Sequence, residues 1–230
     1  ELEKAYYLCN SGRPGPVWID IPADIQASLI EGSKLKKFIE PNNRKSTLKL
    51  DSVIKETAEL LAKSKKPLIH FGGGARSSNC SNIIYDLLKK YPLPFALTWN
   101  ASDLIHSKHK QYIGRPGAFA ERGANFIVQN CDLYISVGSR LPYMVTVYNN
   151  NDFARNAFTI MVDIDKGELG RKNIKVNKKI NCSAQYFLKK LQQYLPKKIN
   201  QHGEWLKYCS YIRRKYPTLT NQFKSQKKFL

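Results

Sequence analysis

Apolar positions along this chain alternate between short continuous runs and longer stripes at helical spacing. Leu68-Ile69-His70-Phe71, Phe95-Ala96-Leu97-Thr98, Leu133 to Gly138, Phe158 to Asp163 and Lys179-Ile180-Asn181-Cys182 have the length and β-branched or aromatic content of strands. Between them, Val53, Ile54, Leu60 and Leu61, then Ile83, Ile84, Leu87 and Leu88, then residues 118–130, and finally Phe187, Leu188, Leu191 and Leu195 predict helices. Asp51 is the expected N-cap of the first helix, and Lys65-Lys66-Pro67 ends it. Strands that are apolar almost throughout, separated by helices, imply a parallel sheet covered on both faces. The fold class predicted for residues 51–196 is therefore α/β, a doubly wound parallel sheet of Rossmann-like type.

The flanks read differently. Residues 1–9 alternate charged and apolar positions as the end of a helix would, closing at Ser11-Gly12. Val17-Trp18-Ile19-Asp20-Ile21, bounded by Pro16 and Pro22, predicts a buried strand. Residues 31–50 are charged, interrupted by Pro41 and aperiodic, as an exposed linker is. This gives four segments, at 1–30, 31–50, 51–196 and 197–230. The last holds a helix with Trp205, Tyr208, Tyr211 and Ile212 at helical spacing and the loose end KSQKKFL.

A hydrophobic fraction of 42% and an aromatic fraction of 11% supply the apolar area that a folded chain needs. No run approaches the roughly 20 apolar residues of a membrane span, and ELEKAYYLCNSG has neither the basic start nor the apolar core of a signal sequence. The expectation is a cytoplasmic protein with no membrane contact. Cys9, Cys80, Cys131, Cys182 and Cys209 are odd in number and never spaced as ligand doublets, which argues for reduced, mostly buried thiols and against a zinc site. The net charge is +20, and from Lys166 onward 17 Lys or Arg stand against Glu168 and Glu204 alone. Such an excess can mark a nucleic-acid surface. Here the cations are scattered among apolar helical positions without any nucleic-acid motif, so solvated helix faces explain them better.

Candidate chemistry gathers at the carboxyl ends of the predicted strands, where a parallel sheet exposes backbone amides and helix N-termini. Gly72-Gly73-Gly74 follows a strand directly and lets backbone approach a phosphate or a flat ring. Gly114-Arg115-Pro116-Gly117 precedes a helix whose first turn is expected to face a pyrophosphate, with Arg115 adding charge. Gly138-Ser139-Arg140 ends another strand and points to the same crevice, and Asp163 and Asp165 are candidates for a ribose hydroxyl, with a helix N-cap as the competing role of Asp165. Each glycine turn alone is ordinary loop chemistry; three at successive strand ends are more persuasive. His70 lies within an apolar strand and reads as a core residue, His106 and His109 as surface residues. No catalytic Ser, His and carboxylate set and no metal-ligand spacing is visible.

Taken in order, GRPGPVWIDIPADIQ, FGGGAR, the LTW strand end, IGRPGAFAERGAN, CDLYISVGSRL and MVDIDKGELG resemble the thiamine diphosphate-dependent enzymes of the acetolactate synthase, pyruvate oxidase and benzoylformate decarboxylase type, over residues 10–195. The resemblance makes residues 1–30 the close of a pyrimidine-binding domain and residues 51–196 the central domain, a six-stranded Rossmann-like unit that holds FAD in acetolactate synthase. It implies that Gly72, Gly73 and Gly74 line the dinucleotide, that Thr98 and Trp99 sit beside it, and that Gly114 and Gly117 approach its phosphates. It further implies that Gly138, Ser139 and Arg140 form the Gly-x-Arg turn and that Asp163 and Asp165 mark the ribose or adenine end. Leu141-Pro142-Tyr143 stands where FAD-binding relatives often have Phe-Asp-Asp, and Arg115-Pro116 where they often have Met-His. An ADP-like nucleotide or no ligand therefore remains open beside FAD.

The same resemblance places thiamine diphosphate and Mg²⁺ in a full-length parent, bound by an activating Glu of the first domain and a Gly-Asp-Gly motif of the third. This sequence has no Gly-Asp-Gly. It is expected to be inactive alone, a part of an acetolactate synthase-like transferase or lyase that decarboxylates a 2-ketoacid and ligates the product. GSRLPYMVTVYNNNDFARNAF is similar to synthase-like members associated with surface-sugar biosynthesis, which leaves the substrate open. The implied partners are a small-molecule nucleotide, the remaining domains of the parent and a homodimeric or tetrameric assembly. Two other readings are a stand-alone nucleotide-binding regulatory module and, last, a basic nucleic-acid binder.

Overall fold

A computed structural model describes residues 1–41, 48–147, 150–172, 174–199 and 202–220. The chain divides into two units, Glu1–Ser46 and Thr47–Leu230. In the first, α1 spans Leu2–Asn10, α2 spans Ala23–Gln26 and a 3₁₀ turn covers Gly32–Lys34. The Phe38 N–H donates to the Glu3 carboxylate at 2.8 Å, and the Tyr7 and Phe38 rings meet at 5.4 Å. Val17 to Ile21 form no strand, and Trp18 is 92% exposed. The sequence predicts a buried strand there; a strand needs a neighbour to take up its N–H and C=O groups, and none of the described residues supplies one.

The second unit runs α3 (Leu48–Lys63), β1 (Pro67–Phe71), α4 (Gly73–Ser77), α5 (Ser81–Lys90), β2 (Phe95–Leu97), α6 (Arg122–Asn130), β3 (Leu133–Val137), α7 (Tyr143–Thr146), β4 (Phe158–Asp163), α8 (Lys166–Gly170), β5 (Lys178–Asn181), α9 (Ala184–Tyr194) and α10 (Gly203–Lys215). The five strands are parallel, in the order β2-β1-β3-β4-β5. Beyond β2, Tyr112 makes a single parallel bridge to Phe95. Phe95 N–H donates to Gln111 at 3.0 Å and Ile113 N–H to Phe95 at 2.8 Å. The sixth strand implied by the resemblance is thus reduced to one bridge. From β1 the chain moves outward to β2 and Tyr112, then returns to place β3 on the other side of β1. The order reverses between β1 and β3, and their carboxyl ends flank the crevice where doubly wound sheets bind ligands.

Side chains alternate between the two faces of the sheet. Ile69, Phe71, Ile135, Val137, Ile160 and Val162 pack with α3, α5 and α9, whereas Leu68, Tyr134 and Met161 pack with α6 and α10. Helix α10 is held by named contacts. Trp205 Nε1 donates to the Pro67 carbonyl at 2.9 Å, His202 meets the Ser64 carbonyl at 3.0 Å, and Arg213 donates to the Tyr112 carbonyl at 2.6 Å. Gly123 in α6 lets the helices cross closely, since a Cβ there would lie 3.2 Å from the Ile212 carbonyl oxygen.

Asp51 is not the cap expected from the sequence, because α3 begins at Leu48 and Asp51 lies in its first turn. Its carboxylate instead accepts from Tyr186, from Lys190 Nζ at 2.8 Å and from Tyr194 at 3.1 Å, tying α3 to α9. Those bonds, Lys190 foremost, hold its carboxyl below the usual range. Among the described residues no helix is long and apolar enough to cross a membrane.

Candidate functional site at the carboxyl rim of the sheet

The residues singled out in the sequence lie on loops that leave the carboxyl ends of the strands. At the β1 and β3 tips the two glycine turns lock together. Gly72 N–H donates to Val137 at 2.9 Å, Gly74 N–H to Gly138 at 2.8 Å, and Gly138 N–H to Val162 at 2.9 Å. A Cβ on Gly72 would run into the Gly138 carbonyl and Ser139, one on Gly74 would lie 2.9 Å from Gly138 Cα, and one on Gly138 would lie 2.6 Å from Ala75 N. Gly138 has φ +66°, a left-handed conformation that also favours glycine. These glycines are therefore required by each other, whatever else the crevice holds.

Several polar groups around this lock have no partner. Among the described residues nothing accepts from the N–H groups of Gly73, Ser139 and Arg140. Thr98, whose N–H donates to the Phe71 carbonyl at 3.0 Å, buries its Oγ1 without a hydrogen bond. Trp99 opens a 3₁₀ turn after β2 and is 52% exposed. A Cβ on Gly73 would meet Asn100 Cβ at 3.2 Å. The turn continues into buried Leu141 at φ +47°, an uncommon conformation for a residue with a side chain.

The acidic candidates form a second cluster, on the loop after β4. Asp163 is buried and accepts from the Asp165 N–H at 2.9 Å. Asp165 caps α8, accepting from Gly167 at 2.8 Å and Glu168 at 3.4 Å. Arg140 reaches Glu168 at 3.5 Å, and Arg171 reaches the same carboxylate at 3.0 Å. The loops after β3 and β4 are thereby joined through Arg140.

The 114–117 turn is organised by residues the sequence reading passed over. Glu121, the N-cap of α6, turns its carboxylate back onto the loop, accepting from Arg115 N–H at 3.2 Å and lying 4.0 Å from Arg115 Nε. A Cβ on Gly114 would meet that carboxylate at 2.7 Å. Asn125 clasps Gly117, its Oδ1 accepting from Gly117 N–H at 2.8 Å and its Nδ2 donating to the Gly117 carbonyl at 2.9 Å. Gly117, at φ +140°, leaves no room for a Cβ beside the Met144 carbonyl. The Glu121 carboxylate makes no hydrogen bond to the first turn of α6 and is spent on the loop before it, where it partly neutralises Arg115 and puts a negative charge where the sequence predicts a phosphate. The available signal was a carboxylate at the helix boundary, with Asn one turn beyond it.

The remaining titratable groups offer little chemistry. His70 is fully buried, as expected of a core residue, shares a hydrogen bond with the Tyr134 hydroxyl, and is pushed down to about 4 by burial, so it stays neutral. All five cysteines are free and all but Cys9 are buried. Burial pushes the Cys80 thiol up to about 11 and those of Cys131 and Cys182 up to about 12, far from a reactive thiolate at neutral pH. Among the described residues no group of three or more His, Cys, Asp and Glu could hold a metal ion.

Comparison with known proteins identifies this unit. Residues 54–191 match the family model for the thiamine pyrophosphate enzyme, central domain. The chain belongs to the thiamine pyrophosphate enzymes. Within this family it is similar to acetolactate synthase large subunits. That of Porphyra purpurea is 35% identical over 184 residues, covering 75% of this chain and 30% of the relative. Isozyme 2 of Escherichia coli is 30% identical over 212 residues, covering 92% and 37%, and that of Lactococcus lactis is 31% identical over 216 residues, covering 94% and 37%. The chain thus spans about a third of the length of the curated relatives it matches. The doubly wound fold is that of this family's central domain, and the family depends on thiamine diphosphate.

Proposed function

We propose that this thiamine pyrophosphate enzyme domain carries an adenine nucleotide, FAD or ADP-like, across the crevice between β1 and β3. The observation that carries the reading is the set of unpartnered donors at Gly73, Ser139 and Arg140 beside the unpartnered Thr98 hydroxyl and the exposed Trp99. Free backbone N–H groups beside a topological switch point suit a diphosphate, and an exposed indole suits a flat ring. Arg140 would add a cation, while the loop after β4, with Asp163 and Asp165, would border the ribose. Glu121 disfavours phosphate near Gly114 and Gly117, so the diphosphate belongs beside Gly73 and Ser139.

In the full-length enzyme the activity would be that of an acetolactate synthase-like protein, decarboxylation of a 2-ketoacid followed by transfer of the acyl unit. Thiamine diphosphate, with Mg²⁺, supplies the carbanion chemistry when bound. No residue on this chain is assigned to that step. The domain's share would be to hold the nucleotide and present its carboxyl rim to neighbouring domains, in a cytoplasmic dimer or tetramer. A ligand-free spacer is the second reading, favoured by the way the Gly72 and Gly138 turns fill one another.

Titration of the 230-residue chain with FAD, ADP and thiamine diphosphate, followed by Trp fluorescence and calorimetry, tests this. Saturable quenching by FAD or ADP that is lost in Trp99→Leu and weakened in Arg140→Ala is the expected result. Binding of neither nucleotide selects the spacer. Appreciable binding of thiamine diphosphate would overturn the placement of that cofactor's site elsewhere.

A further inference from the structure

The opposite rim of the sheet carries a second concavity, of about 420 Å³, between the end of α5 and the segment that leads to Tyr112. It lies at the amino end of β2, because Gln111 bonds to Phe95, the first residue of that strand. It is therefore remote from the β1 and β3 tips and plays no part in the nucleotide reading above. Its volume falls in the range of small-molecule sites, about 300–1,000 Å³.

Three features of its wall belong together. Lys89, Lys90 and Lys110 border it and form no ion pair among the described residues, and Asp86 is the one acid on the same wall. Tyr85, Leu88 and Pro92 give it an apolar side. His109 stands between the two. Its Nδ1 accepts from the Gln111 N–H at 3.3 Å, which fixes the proton of the neutral ring on Nε2 and makes that atom a donor without a partner among the described residues. The ring is held edge-on to Phe95 at 5.4 Å and Tyr85 at 6.3 Å.

The frame beneath is fixed. Gln111 is 3% exposed, and its Nε2 donates to the Leu88 and Tyr91 carbonyls at 3.0 and 3.2 Å, closing the last turn of α5 against the loop. Tyr85 is tied to the same loop by a 3.4 Å hydrogen bond from the His106 N–H to its hydroxyl. Burial and the Lys110 charge both lower His109 from its ordinary value, as unneutralised positive charge around the ring requires.

We propose that this concavity binds a small amphiphilic anion, a phosphate or carboxylate on an apolar stem, with the anionic group between Lys89, Lys110 and His109 and the stem against Tyr85, Leu88 and Pro92. Asp86 shares the wall but pairs with none of these cations among the described residues, so an incoming anion breaks no ion pair, and the apolar side explains why a bare inorganic anion would be the poorer ligand.

Phenyl phosphate, phenylacetate and inorganic phosphate are the probes, titrated into the full chain with affinity read by calorimetry and the His109 imidazole protons read by NMR. Phenyl phosphate is expected to shift the His109 resonances and to bind about three- to tenfold more tightly than inorganic phosphate. Lys89→Ala combined with Lys110→Ala should weaken it by about three- to tenfold, and raising the salt should weaken the unaltered chain in the same direction. Tyr85→Ala should abolish the advantage of phenyl phosphate over inorganic phosphate. Preference for phenylacetate over phenyl phosphate would assign the carboxylate as the natural anion, and the reverse the phosphate. An unmoved His109, or affinity unchanged in the folded double variant and indifferent to salt, would overturn the proposal. Because FAD binding is read at Trp99, either result stands apart from the other.

Discussion

Three glycine-bearing turns leave the same rim of this sheet, and the interlocked pair is filled differently from the third. At the β1 and β3 tips, Gly72, Gly74 and Gly138 bring backbone onto backbone, and the N–H groups just beyond them are left without partners. At residues 114–117 the chain folds its own carboxylate, Glu121, into the turn and clasps Gly117 with Asn125. The first arrangement leaves donors for a ligand; the second turns those of Arg115 and Gly117 onto its own side chains. Glycine after a strand therefore says that something comes close, and only the neighbours say whether it is protein or ligand.

The sharpest way to break the comparison is Gly138→Ala. A methyl there meets Ala75 N at 2.6 Å in a left-handed backbone, so overpacking and conformational strain together should cost about 2–5 kcal/mol in urea unfolding. Acid attacks the same tip from below. His70 in β1 is held neutral, its folded value of about 4 lying beneath the ordinary 6.5. The unfolded chain takes up the proton first, so stability is whole above pH 6.5 and falls by up to about 1.4 kcal/mol per pH unit towards pH 4. His70→Gln should flatten that limb of the stability-against-pH curve.

Gly114→Ala should be milder, about 1–2 kcal/mol, because the obstructing group is the end of the Glu121 side chain, which can turn away; only the φ of +106° remains unrelieved. Adding Glu121→Ala should lower the cost of Gly114→Ala in a double-mutant cycle, and purely additive losses would show that the carboxylate is not what fills the turn. Asp165→Ala should cost about 1 kcal/mol as a lost helix cap. A larger effect on nucleotide affinity than on stability would assign Asp165 to the ligand as well.

The alternation of apolar runs located all five strands within a residue or two of where they lie, because strands buried on both faces leave continuous hydrophobic stretches. The same pattern misled at Val17 to Ile21. Its composition equals that of a buried strand, but pairing depends on a neighbour that composition does not reveal. Short helices such as α4, α7 and α8 carry too few turns to show a period. At the carboxyl rim, the candidate loops were legible from their glycines, whereas the occupants of each turn were not. Glu121 and Asn125 act through side chains folded back over the backbone, and Asp51 changed role because α3 starts one turn earlier than its apolar stripe indicates.

The lysines on β5 bear on a different property. That strand is the last in its sheet, and its outer side meets no other strand among the described residues. Lys178 and Lys179 lie along it, with Lys175 just before it. An open strand border is a template for stray chains, and a row of ammonium groups is a common safeguard against such stacking. Lys178 is tied to Glu56 at 2.7 Å, which leaves the exposed Lys175 and Lys179 as the charges that would guard this border, and acetylating those two amines is expected to make it stickier.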